Sequence, residues 1–169
     1  MYPPCAANRV PTPLVRTRGI GRIVIGDEFD TTRRAFHRGV PHYDGLYDQS
    51  RFFDNALSQY FRSKGWPVAQ FSVLRPLSEL LVEKILVGRY PHLQRLQVSC
   101  HAAHTEGDRV KPCGRCEKCR RVVGMLVALG ADPTRCGYTS EQVDSCLEAV
   151  ASQGVHQEAA GERHLRFML

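Results

Sequence analysis

Three cysteines in the run CGRCEKC, namely Cys113, Cys116 and Cys119, follow one another with two residues between each pair, and Cys100 stands upstream of them. Thiols at this spacing can converge on one ion. Gly114 permits the tight turn that brings neighbouring thiolates together, and Cys100, returned from the end of a preceding strand, completes a tetrahedral set of four sulfurs. Such a site is closed, so its role is structural, and zinc is the expected ion. The competing reading is a [4Fe-4S] cluster, whose bacterial ligand run also opens C-x2-C-x2-C but continues with a cysteine four positions on and then a proline. Val123 and Gly124 occupy those places, which favours zinc. His101 and His104 are possible substitutes for Cys100, but with four cysteines present they read as outer or surface groups. Cys5, Cys136 and Cys146 lack such company, and Cys146 on an apolar helix face reads as a small core residue.

Composition narrows the setting of this knuckle. A chain of 169 residues has room for one compact domain with a real core. A hydrophobic share of 43% with 24% charged residues is that of a folded soluble protein. No apolar run reaches the length needed to span a bilayer, so no membrane association is expected. The opening MYPPCAANRVPTPLVRTRG is proline-rich and has no continuous apolar stretch, so it reads as neither a secretory signal nor a transit helix. A cytoplasmic location follows, where reducing conditions disfavour disulfides and leave metal binding as the usual reason for clustered thiols. The net charge of +6 points to a phosphate-bearing partner, either a nucleotide or a nucleic acid.

Along the chain, residues 1–20 read as an extended arm. RIVIG (22–26) is a short β-branched strand, followed at once by the polar string DEFDTTRR. Acidic and hydroxyl side chains at the carboxyl end of a strand lie where open α/β sheets place their ligands. SRFFDNALSQYFRSKG places Phe53, Ala56, Leu57, Tyr60 and Phe61 on one helical face, with Gly65 as a stop. VAQFSVL (68–74) reads as a strand broken by Arg75-Pro76. A second helix then carries Leu77, Leu80, Leu81 and Ile85 inward, with Glu79 and Glu83 on its wet side. LQRLQVS (93–99) reads as a strand leading into Cys100. Beyond the knuckle, Cys119, Val122, Val123, Leu126 and Leu129 form a third helical stripe ended by Gly130, and Ser140 is placed to cap a fourth helix bearing Val143, Cys146, Leu147 and Val150. The expected class is α/β: a partial parallel sheet with flanking helices over 21–99, then a four-cysteine zinc knuckle and a small helical region over 100–169.

Taken in order, IGDEFDTT, YDGLYDQSRFFDNAL, FSVLRPLSELLVEKIL, VSCHAAH and CGRCEKC resemble the C-terminal half of PP-loop ATP pyrophosphatases of the adenine nucleotide alpha-hydrolase type. The likeness is to the 7-cyano-7-deazaguanine synthase family and to UDP-N-acetylmuramoyl-L-alanyl-L-glutamate epimerases, the latter especially at LRPLSEL. Tyr47, Asp48 and Arg51 match a tyrosine, aspartate, arginine motif of the synthase family. The resemblance implies activation of a small polar carboxylate by ATP, through an acyl-adenylate with release of pyrophosphate. It also implies a zinc that holds the C-terminal lobe and takes no part in the chemistry. Asp27, Glu28 and Asp30 would line the crevice, suited to Mg²⁺ or to substrate hydrogen bonds. Asp48 and Arg51 would orient the substrate, and Arg75 would neutralise a carboxylate or phosphate. The families carry a glycine-rich SGGxDS loop that binds the pyrophosphate of ATP. This sequence has none, and RGIGR (18–22) precedes a strand instead of opening a helix. The expectation is therefore a truncated chain or one half of a split enzyme, inactive alone and taking up ATP and Mg²⁺ only when a chain carrying that loop completes it. Two alternatives stand beside this reading. One is a zinc-knuckle module that binds RNA or tRNA through Arg109, Lys111, Arg115, Lys118, Arg120 and Arg121; the other is a non-catalytic partner subunit.

Overall fold

The computed structural model describes residues 16–32, 34–43 and 47–154. Cys5, most of the expected arm and the tail beyond Gly154 lie outside them. The chain divides into two compact units, Met1–Leu77 and Ser78–Leu169. Leu80 of the second helix packs in the core built by the cysteine-bearing segment. The fold is a mixture of helices and small sheets, and no helix among the described residues is long and apolar enough to cross a membrane.

In the first unit, β1 (Arg22–Ile25) and β4 (Ala69–Ser72) pair in parallel, with Arg22 opposite Ala69 and Ile25 opposite Ser72. This two-stranded pair is the extent of the parallel sheet among the described residues. Alternation along both strands puts Ile23, Ile25, Gln70 and Ser72 on one face and Val24 and Phe71 on the other, where both are exposed. Helix α1 (Arg51–Ser63) is set by its ends. Ser50 caps it by accepting from the Phe53 amide, and Gly65, at φ 71°, ends it. The Gly65 amide donates to Arg62 and the Trp66 amide reaches back to Phe61, the double bond of a Schellman stop. Trp66 stacks on Phe61 with ring centres 6.0 Å apart, which supplies the apolar contact that accompanies this motif.

Phe61 and Val68 form the small apolar core of this unit, with Ile23 and Leu57 against it. Tyr60, expected inside, is exposed. The helix instead buries a polar ridge: Ser50, Asp54 and Ser58, spaced four apart and therefore stacked along one line of the helix, are all buried. Between β1 and α1 lies a hairpin of β2 (Arg34–His37) and β3 (Val40–Tyr43). Its two-residue turn, Arg38-Gly39, has φ 50° and 81°, the positive pair that matches the twist of the flanking strands.

The second unit opens with α2 (Glu79–Arg89), capped by Ser78 accepting from the Leu81 amide. Residues 94–96, expected as strand, form a 3-10 turn. Local bonds decide it. The amides of Leu93, Leu96 and Gln97 each donate three residues back, and the buried Gln94 side chain donates to the Asp132 carbonyl. A hairpin of β5 (His104–Glu106) and β6 (Arg109–Lys111) precedes α3 (Glu117–Ala128) and α4 (Ser140–Gln153). The stripe Cys119, Val122, Val123 and Leu126 is fully buried and forms the core with Met125, Cys136, Tyr138 and Cys146. Thr139, one residue before the expected cap, starts α4 in a reciprocal capping box with Gln142.

Glu83, expected on the wet side of α2, is 5% exposed. It accepts a hydrogen bond from the Gln97 side-chain amide, and its second oxygen has no partner among the described residues. Burial raises its pKa to about 7, opposed by the Gln97 bond and reinforced by Glu79. Because the folded pKa lies above the ordinary value of 4.5, its contribution to stability is full below that value and is lost as pH rises towards 7. Glu83→Gln should therefore gain on the parent protein with rising pH, by up to about 3 kcal/mol near pH 8 against almost nothing near pH 4. Urea unfolding of both proteins at the two pH values measures this, and an equal difference at both would remove Glu83 as the cause.

Candidate metal centre and carboxylate–arginine crevice

The four expected cysteines do converge. The sulfurs of Cys100, Cys113, Cys116 and Cys119 all lie within 4.8 Å of one another. Closer pairs are Cys116 and Cys119 at 3.5 Å, Cys100 and Cys116 at 3.8 Å, and Cys113 and Cys119 at 3.9 Å. A regular tetrahedron of sulfurs about 2.3 Å from a central ion has edges of about 3.8 Å, so the set can hold a metal ion. The backbone prepares it. Cys116 is the N-cap of α3 and Cys119 sits in its first turn, where the positive end of the helix dipole favours thiolates. The amides of Ala102 and Cys113 donate to the Cys100 sulfur at 3.3 and 3.2 Å, which stabilises its anionic form.

Gly114 has φ 69°, and a β-carbon there would lie 2.4 Å from the Gln142 side chain. That side chain is not free to swing away. Its oxygen accepts from the Thr139 amide in the α4 cap, and its nitrogen donates to the Cys113 carbonyl at 3.5 Å. The Cys146 thiol closes the packing by donating to the Gly114 carbonyl at 3.2 Å. Gly114→Ala should therefore cost about 2–3 kcal/mol, combining left-handed strain with a broken cap. Thermal unfolding of Gly114→Ala, Gln142→Ala and the double variant tests the coupling, since effects that simply add would separate the two residues.

His101 and His104 are exposed and stand outside the sulfur set. The basic residues around it divide. Lys111 pairs with Glu106 at 2.8 Å, Arg121 with Glu79 at 3.0 Å, and Arg120 donates to Gln153. Arg109 and Arg115 remain exposed.

In the first unit the segments that leave β1 and β4 meet at the carboxyl ends of the two strands. The Ser72 hydroxyl donates to the Asp27 carbonyl at 2.6 Å, and the Phe29 amide donates to Leu77 at 2.8 Å. Arg75 is the hub. Its guanidinium donates to Asp54 and to the Gln49 carbonyl, each at 2.8 Å, bonds Thr31, and lies 3.6 Å from Asp27. Asp54 is saturated on its other oxygen by the Gln70 amide at 2.9 Å, and Ser58 accepts from the Gln70 backbone at 3.0 Å. Burial raises the pKa of Asp27 to about 6; Arg75 opposes the shift, while Asp54, Glu28 and Asp48 act with it.

Of the expected crevice residues, Asp27 and Arg75 are brought together. Asp30 is buried, with one oxygen unpartnered among the described residues, and Glu28 is half-buried. Asp48 lies in a 3-10 turn, Tyr47–Gln49, and Arg51, exposed at the first position of α1, lines a cavity of about 610 Å³ with Phe29, Arg34, Phe52, Asn55 and Arg75. Asp54 and Gln70 were not among the expected residues. The spacing of Ser50, Asp54 and Ser58 was the available signal, since three small polar groups four apart on an amphipathic helix mark a second inward line. No known protein family, curated protein or solved structure matches this chain.

Proposed function

We propose that this chain is the zinc-bearing, substrate-side part of a PP-loop-type enzyme that activates a small polar carboxylate with ATP. The observation that carries this reading is the meeting of Asp27 and Arg75 at the carboxyl ends of two parallel strands, upstream of a four-cysteine clip. An open α/β site is built at that end of the strands. The motif order described from the sequence supplies the reaction class.

On this reading Zn²⁺ holds Cys100, Cys113, Cys116 and Cys119 together and supplies folding energy. The chain's own residues position the substrate. Arg51 at the mouth of the cavity attracts an anionic group, and Asp48 accepts hydrogen bonds beside it. Arg75, held by Asp54 and Thr31, keeps the adjoining carboxylates in place and offsets their charge. Asp27, with its pKa near 6, can take up or release a proton close to neutrality, which suits a general acid or base, and Glu28 and Asp30 complete the acidic lining. The phosphate-binding glycine loop, with ATP and Mg²⁺, comes from polypeptide other than these residues.

The test is isotope exchange between pyrophosphate and ATP in a panel of small carboxylates, using the chain together with a protein carrying an SGGxDS loop that co-purifies with it. Exchange that needs both proteins and one carboxylate, is abolished by Asp27→Asn, and rises as pH passes about 6 in step with ionised Asp27, is the expected result. A co-purified pair that binds ATP yet exchanges no pyrophosphate with any carboxylate would overturn it.

A further inference from the structure

Tyr138 lies in the core of the second unit, 5% exposed, and its hydroxyl has no hydrogen-bond partner among the described residues. A buried hydroxyl left unpaired is costly, and a phenylalanine would fill the same space without that cost. The side chain with which the hydroxyl interacts most strongly is Cys119, with Cys146 and Cys100 beyond it. Cys119 is the one buried cysteine of the sulfur set, the other three being half-buried, and it shares a core cluster with the Tyr138 ring. The hydroxyl therefore stands beside a metal-binding sulfur without the alignment of a hydrogen bond.

Its neighbours along the chain share one task. Tyr138, Gln142 and Cys146 follow one another at intervals of four where α4 begins. Gln142 donates to the Cys113 carbonyl at 3.5 Å, and the Cys146 thiol donates to the Gly114 carbonyl at 3.2 Å, so both grip the backbone of the cysteine knuckle. Tyr138 is the third donor of this series, and what it meets is a sulfur. A neutral thiol is a weak acceptor. A thiolate is a strong one, because hydrogen bonds to an ionised acceptor are about twice as strong as neutral ones. Metal binding turns Cys119 from the first into the second, since thiol ligands bind deprotonated. Four thiolates around one divalent ion also leave negative charge in a dry core, where each sulfur needs donors. Cys100 has the amides of Ala102 and Cys113, and Cys119 has the Gly114 backbone and Tyr138 beside it.

We infer that Tyr138 is a positioning residue of the metal centre, whose hydroxyl donates to the Cys119 thiolate once the four sulfurs hold an ion. The bond fixes the Cys119 side chain, disperses its charge, and ties the start of α4 to a ligand carried by α3. Outer donors of this kind are worth about 10–100-fold in metal affinity. The inference rests on the zinc centre of the proposed function and is independent of adenylation, so its test involves neither ATP nor a partner protein.

Loading the full chain with a spin-active cadmium isotope makes the bond visible by NMR. A hydroxyl proton in slow exchange with water, coupled to cadmium through the sulfur and absent from Tyr138→Phe, is the expected result. Tyr138→Phe keeps the ring and should bind zinc about tenfold more weakly in competition with a chelator. In the cobalt-loaded protein it should also move the sulfur-to-metal charge-transfer band to longer wavelength, because a hydrogen bond lowers the sulfur donor orbitals. Cys146→Ala, which removes a donor to a carbonyl, should leave that band in place. The inference is overturned if no hydroxyl proton couples to cadmium, as when a buried water takes the hydroxyl instead. It is also overturned if the cobalt band of Tyr138→Phe does not move, or if that variant binds zinc as tightly as the parent or more tightly, the outcome for a hydroxyl that stays unpaired. A chain that takes up neither zinc, cadmium nor cobalt would overturn the metal centre along with it, whereas uptake without coupling removes Tyr138 alone.

Discussion

Cys116→Ala should abolish metal binding by the four sulfurs and unfold the unit from Ser78 to Leu169. The size of the effect follows from where the ligand sits. Cys116 is at once a sulfur of the set and the residue from which α3 starts, and α3 supplies most of the core of that unit. Structural zinc contributes about 10–16 kcal/mol in small metal-dependent folds, comparable with the whole stability of a domain. One metal ion per chain is expected in the parent protein by native mass spectrometry, with none in the variant, alongside loss of helical circular dichroism. Cys136→Ala is the control, because Cys136 is buried more deeply than Cys116 but lies outside the sulfur set; metal binding should survive in it. Metal retained by Cys116→Ala, or lost equally from Cys136→Ala, would show that the four sulfurs are not the ligands. Iron in the parent would show that the ion is not zinc.

The second large effect belongs to the other unit. Arg75→Met should cost about 3–5 kcal/mol, the usual result of leaving buried charges without their partner. Asp54 is 4% exposed and gives one oxygen to Arg75 and the other to Gln70, so removal of the guanidinium strands an anion beneath α1 with Asp27 close by. The sign with pH is fixed. Asp27, whose pKa burial already raises to about 6, takes up its proton as pH falls and the deficit shrinks, so the variant should approach the parent under acid conditions. Urea unfolding followed by Trp66 fluorescence reports this unit, since Trp66 packs against its core. A deficit below about 1 kcal/mol would place Arg75 among surface ion pairs and not at a structural centre.

Where a single local rule decides the conformation, the sequence was legible. C-x2-C-x2-C with Gly114 announced the sulfur set, Gly65 and Gly130 announced helix ends, and the parallel pairing of 22–25 with 69–72 followed from strand, helix, strand order. The β2–β3 hairpin was missed because its turn is Arg38-Gly39, and a non-glycine residue at positive φ lacks the asparagine or aspartate that usually marks such a turn. Residues 93–99 read as strand by composition, yet a buried glutamine and a chain of local amide bonds held part of them in a turn. Glu83 and Asp54 were hidden for one reason: periodicity sorts apolar from polar positions and does not see a polar group buried because another polar group awaits it. At the crevice, Asp27 and Arg75 were each visible as candidates, but the bond network that joins them through Thr31, Gln49 and Asp54 spans segments far apart in sequence.

The parallel pairing of β1 with β4 also sets the order of events in time. Pairing Arg22 with Ala69 closes a loop that spans the hairpin and α1, whereas Cys100 and Cys119 close a far shorter one. Closing the longer segment costs more chain entropy before any contact repays it, and parallel strands return no bond until both are in place. The sulfur clip is therefore expected to assemble early, from neighbours along the chain. The strand that leads into Asp27 is expected to dock late, with the carboxylate–arginine crevice among the last features to form.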